Sequence, residues 1–141
     1  MKVVVDTNVL VAGLLSPFGP PGEIVRMIAA GSLYLCFDAR ILTEYREVLG
    51  RPKFRFDPAP IEIFLEQIRA DGQSVAGYPL SAGLPDPTDE PFLETALAGN
   101  AVCVITGNTK HFPVSRRRGM LVFSPREFLD YYRRHKPRTK R

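Results

Sequence analysis

Short apolar runs alternate with helix-spaced segments along this chain, and that alternation limits the folds open to it. "KVVVD" (2–6) reads as a buried strand and "NVLVAGLL" as a helix after it. "SPFGPPG" breaks the chain before the helix "EIVRMIAAG", which Gly31 closes. "LYLCF" is the next strand, and "DARILTEYREVLGRP" the next helix, with Asp38 as its cap and Pro52 just past its end. "PIEIFLEQIRADG" is a further helix stopped by Gly72, while "SVAGYPLSAG" fits neither period. A helix over 88–99, strands "AVCVIT" and "MLVF", and the helix "PREFLDYYRRH" complete the pattern. Strands separated by helices specify a three-layer α/β/α domain with a mostly parallel central sheet.

Composition narrows the setting. The 141 residues suffice for one domain, and 45% apolar with 24% charged residues is ordinary for a globular protein. No apolar run approaches a membrane span, and "MKVVVDTN" lacks a signal peptide's apolar region. Cys36 and Cys103 lie in apolar runs without zinc spacing, so both are expected as reduced core residues of a cytoplasmic protein. The net charge of +4 is unevenly spread. "RRHKPRTKR" (133–141) holds six of the 19 basic residues and none of the 15 acidic ones, leaving 13 against 15, a net −2, for the rest. The expected organisation is therefore a domain over 1–132 and a basic tail over 133–141. Such a tail attracts polyanions nonspecifically or is simply a solvated end.

Open parallel sheets bind ligands beyond the carboxyl ends of their strands. That rim carries Asp6 and Asn8 after the first strand, Asp38 after the second, and "TGN" (106–108) after a later one. Angular position selects two more carboxylates. In a helix over 88–99, Asp89 falls in the middle of the stripe formed by Phe92, Leu93, Ala96 and Leu97, with Glu90 and Glu94 off it. In the helix after Asp38, Glu44 borders the stripe of Ile41, Leu42, Tyr45, Val48 and Leu49, whereas Glu47 points away. Asp6, Glu44 and Asp89, with Asp86 close by, make a candidate carboxylate cluster. Clustered carboxylates raise each other's pKa, and a hard divalent cation relieves the conflict. Mg²⁺ takes one or two carboxylates and keeps several waters, which suits phosphoryl chemistry.

At these residues the chain resembles the PIN-domain ribonucleases, in particular the toxin components related to VapC-type toxins. The resemblance rests on "VVVDTNVLVAGL", "LTEYREVLGRPKF", "DPTDEPFLETALAGNA", "VITGNTKHF" and "LVFSPREFL" in family order. It implies an endoribonuclease dependent on Mg²⁺ or Mn²⁺, paired with an antitoxin protein and homodimeric. The family's acidic positions fall on Asp6, Glu44 and Asp89 as catalytic and metal-binding residues, and Asp86 matches the extra aspartate of this branch. Asn108 stands where many relatives carry an aspartate, which bears on a second metal. Asn8 and Thr106 complete the supporting set.

Each residue also has a plainer reading. Asp6 can cap the helix after its strand, and Asp89 can be a first-turn acid beside a capping Thr88. Glu44 can be a surface ion-pair residue, and Asp86 a turn former. Thr7, Asn8 and Thr106 are read as fixing the rim through hydrogen bonds. His111 is read as structural, beside Phe112. Two other classes compete: a catalytically silent PIN-like RNA-binding module, and an aspartate-based phosphotransfer domain. Asn8 stands where a second aspartate of a haloacid-dehalogenase-like site belongs, and "VVVDTN" offers one acid where a receiver needs two.

Overall fold

The computed structural model describes residues 1–135. Five strands form one all-parallel sheet: β1 (Lys2–Val5), β2 (Tyr34–Phe37), β3 (Gln73–Ser74), β4 (Cys103–Ile105) and β5 (Leu121–Phe123). Their spatial order is β3-β2-β1-β4-β5. Six α-helices accompany them among the described residues: α1 (Thr7–Leu15), α2 (Pro20–Ala29), α3 (Ala39–Leu49), α4 (Pro58–Asp71), α5 (Glu90–Ala98) and α6 (Pro125–His135). The order has a physical consequence. The chain runs outward from β1 through β2 to β3, then returns to build β4 and β5 on the opposite side. Right-handed crossovers therefore put α5 on the other face from the helices of the first half. α5 lies across β1, β2 and β4, while α2 packs on α1, α4 and α6. This is a three-layer α/β/α arrangement.

β1 is central, and Val3, Val4 and Val5 are wholly buried, as expected for a strand covered on both faces. α1 crosses α2 closely at Gly13, where a Cβ would come within 2.5 Å of the Pro21 carbonyl oxygen. Cys36 and Cys103 are buried free thiols, and burial pushes Cys103 up to about 12.

The differences from the sequence reading are local. α2 starts inside the proline-rich break, because Pro20 and Pro21 occupy its first turn, where a missing N–H costs nothing. The ambiguous segment begins at Ser74, the last residue of β3, a two-residue edge strand too short to show any period. The helix expected over 88–99 is divided: Pro87–Asp89 form a 3₁₀ turn, and α5 begins at Glu90. Asp86, not Thr88, caps that turn, accepting from the Thr88 N–H at 3.0 Å. α6 continues through Arg133, Arg134 and His135, so the basic run begins in its last turn. Residues 136–141 of that run lie outside the described residues.

Candidate functional site: an acidic cleft at the carboxyl edge

The strand order reverses between β1 and β4, and at that switch point a crevice opens beyond the strand ends. Asp6 leaves β1 there and Thr106 leaves β4. The sheet itself aligns them, since the Asp6 N–H donates to the Ile105 carbonyl at 2.9 Å. A cleft of about 500 Å³ is lined by Asp6, Thr7, Asn8, Glu44, Thr88 and Asp89 on its polar side. Val11, Ala12, Leu15, Val48, Phe54 and Phe92 complete the lining.

Asp6 is the most enclosed of the three carboxylates that line the cleft, with 6% of its surface exposed. The Thr106 hydroxyl donates to its Oδ2 at 2.8 Å, and the Asn8 N–H reaches its Oδ1 at 3.4 Å. Asp6 thus also occupies the cap position of α1. Burial outweighs these donors, and with the charges of Asp89 and Glu44 nearby the carboxyl is pushed up to about 6. Glu44 faces the same cleft from α3, and its carboxylate accepts from the Thr7 hydroxyl. α3 is held in phase by Tyr45, fully buried, whose hydroxyl donates to the Val5 carbonyl at 2.5 Å. Glu47, one turn on, is exposed and pairs with Arg51 at 3.0 Å.

Asp89 points inward for a reason the helical angle did not contain. It is the last residue of the 3₁₀ turn and stands at the cap position of α5 without making a capping bond. Its Oδ2 is buried and has no hydrogen-bond partner among the described residues. His111 Nδ1 lies 3.2 Å from that oxygen, in ion-pair range without hydrogen-bond alignment. Burial, followed by the charge of Asp86, raises the Asp89 pKa, while His111 opposes the rise.

The remaining candidates are distributed differently. Asn8 lines the cleft and its Oδ1 accepts from the Gly107 N–H at 3.1 Å, fastening α1 to the turn after β4. Asp86 stays outside the cleft lining, its carboxylate taken by the Thr88 N–H and hydroxyl, which hold its pKa below the usual value. Asn108 is exposed, and its N–H donates to the Thr106 hydroxyl oxygen at 3.1 Å. Asp38 faces elsewhere as well: it caps α3 and pairs with Arg40 at 2.6 Å. The same guanidinium pairs with Glu94 at 2.9 Å, and Glu94 is buried rather than lying off the packed face of α5. Sequence reasoning also missed where His111 goes. Phe112 is buried, but the neighbouring imidazole is half exposed and folds over Asp89 on a 3₁₀ turn that no spacing rule anticipates.

The donor set suits a hard cation: three carboxylates face one cleft, and one buried carboxylate oxygen lacks a partner. Among the described residues no three His, Cys, Asp or Glu side chains stand close enough to form a preassembled metal site. An ion that takes one or two carboxylates and keeps its other waters fits this spacing; a fully protein-caged one does not.

A parallel α/β domain with an acidic crevice at its switch point defines a class of ligand-binding and hydrolytic proteins. The sequence pattern of the PIN domain matches residues 2–110, and the chain belongs to the PIN domain family. PIN domains are generally nucleases, hence hydrolases, and generally use divalent metals; the family points to RNA as the bound polymer. No curated protein matches the chain. Among the described residues no helix is long and apolar enough to cross a membrane.

Proposed function

We propose that this PIN domain is a divalent-metal-dependent endoribonuclease and the toxin half of a toxin–antitoxin pair, acting in the cytoplasm as a homodimer. One observation carries the nuclease reading: Asp6, Glu44 and Asp89 face a single cleft, and burial there works against the ionised forms of Asp6 and Asp89. Asp6, Glu44 and Asp89 would hold Mg²⁺ or Mn²⁺, with Asp86 and Asn108 supporting from outside the lining. Bound there, the ion supplies a Lewis acid for the phosphodiester and lowers the pKa of its water.

The chain's own groups do the positioning. Thr106 and the Asn8 N–H hold Asp6 with both oxygens oriented. The Thr7 hydroxyl fixes one oxygen of Glu44 and leaves the other to the cleft. His111 stands beside Asp89, its Nδ1 3.2 Å from the carboxylate. The domain would span 1–132, with the 133–141 run adding charge for RNA. The toxin assignment and the partner antitoxin rest on the ordered motifs that resemble the VapC-type branch.

Digesting a mixed RNA pool with Mg²⁺, Mn²⁺ or EDTA, then sequencing the cut ends, tests this. Internal cuts that need the metal and disappear in Asp89→Asn are expected. Asn108, standing where many relatives carry an aspartate, favours one second reading, a silent RNA-binding module. RNA binding that persists in EDTA with no cleavage in either metal would establish that reading instead.

A further inference from the structure

Between α3 and α4 the sequence "RPKFRF" (51–56) interleaves cations with aromatics, and its middle reaches the cleft. Pro52–Phe54 form a 3₁₀ turn, closed by Arg55 in a left-handed conformation (φ 56°), whose N–H donates to the Pro52 carbonyl at 3.1 Å. That conformation is unfavourable for a residue with a Cβ. The two phenylalanines then divide their roles. Phe56 packs against the hydrophobic core, whereas Phe54 is half buried, is not packed on the core, and lines the cleft that holds Asp6, Glu44 and Asp89. Phe56 stacks on the Phe54 ring, with centroids 5.6 Å apart and 22° between planes. A core aromatic thus props up one that faces outward.

The segment itself carries three cations, Arg51, Lys53 and Arg55. Arg51 is paired with Glu47, but Lys53 and Arg55 are exposed and make no ion pair among the described residues. The Lys53 ammonium lies 5.1 Å from the Phe54 centroid. Being exposed and on a flexible stem, it can leave the ring and meet a phosphate.

We infer that Phe54 is a stacking platform for one unpaired nucleobase of the RNA whose backbone lies at the carboxylates, with Lys53 and Arg55 meeting the adjoining phosphates. This rests on the nuclease reading above and adds a residue that contacts substrate away from the acidic side. A planar base covers the flat ring whatever its identity, so Phe54 selects for unstacked nucleotides and against duplex. Charge complementarity points to the same occupant: the apolar side of the cleft takes the base, and the two cations beside it take the anionic backbone.

The chain contains no tryptophan, so Phe54→Trp makes a single reporter. Its emission is to be followed in EDTA against a short single-stranded RNA, the same strand made abasic, and the same sequence as a duplex. The single strand should quench by roughly half or more, as base stacking requires, and the other two should not. In Mg²⁺, Phe54→Ala should raise KM about 5- to 100-fold with kcat within about twofold, and Phe54→Tyr should restore KM. Equal quenching by the abasic strand would overturn stacking in favour of charge alone. Emission that depends on protein concentration without RNA would overturn it in favour of a second copy of the chain. Cleavage without base-dependent quenching removes the platform and leaves the nuclease. Base-dependent quenching without cleavage in Mg²⁺ or Mn²⁺ removes the nuclease and leaves the platform.

Discussion

Neutralising Asp6 should make the metal-free protein more stable, although it removes an ionised hydrogen-bond acceptor. Burial and its neighbours raise this carboxyl from 3.8 to about 6, so above that pH the ionised form opposes folding by about 3 kcal/mol. In Asp6→Asn the amide keeps one acceptor for Thr106 or the Asn8 N–H, and losing the other bond costs about 1 kcal/mol. The net gain is about 2 kcal/mol, or a rise of roughly 6–8 °C in the midpoint for a domain of this size. The pH dependence carries the sign. Between 3.8 and about 6 the folded state holds more protons at Asp6 than the unfolded state does. Wild-type stability from this group therefore falls as pH rises through that window and is level above it. The advantage of Asp6→Asn should be full above about pH 7 and give way to a deficit of about 1 kcal/mol below about pH 4. Millimolar Mn²⁺ should reverse the order at pH 7.5, because a ligand bound only by the folded wild type stabilises it by mass action. Thermal melts of both proteins from pH 4 to 8, in EDTA and in Mn²⁺, measure all of this. A variant less stable than wild type at pH 7.5 in EDTA, or a difference independent of pH, would refute the reasoning.

The two glutamates of α3 differ in direction, so Glu44→Gln should lower cleavage about 100-fold or more, since outer-shell partners alone cost 10–100-fold. Glu47→Gln, on the exposed side, should stay within about twofold in the same initial-rate assay. Asn108→Asp should lower the Mg²⁺ concentration for half-maximal cleavage if the missing charge limits a second ion; a metal titration of the rate reads this directly. Arg40→Leu strands the buried Glu94 and should cost about 2–3 kcal/mol by denaturant melting, with Glu94→Gln in that background recovering part of it.

The elements legible in the sequence are those whose cause is local. Apolar runs marked β1, β2 and β4, and the proximity of Asp38 to a helical period marked the start of α3. The phase of α3 separated Glu44 from Glu47 because Ile41, Tyr45 and Leu49 bury one stripe of that helix and leave Glu47 on the opposite, exposed side, which is the condition angular reasoning assumes. The same reasoning misjudged Glu94. α5 is covered on a second side by the chain around Gly77, where a Cβ would lie 3.2 Å from the Glu94 Cβ, and one stripe cannot describe two packed faces. Asp89 was given its inward direction by a helix that had not yet begun; its orientation comes from the 3₁₀ turn that Asp86 caps. The ordered motifs were enough to mark Asp6, Glu44 and Asp89 as candidates. Three features existed only once the chain had closed: the edge pairing of β3, the approach of His111 to Asp89, and the exposure of Phe54 to the acidic cleft. The physical reason is the same for each. They depend on where distant segments meet, and the periodicity of a segment records which side of it is buried, not what will lie against that side.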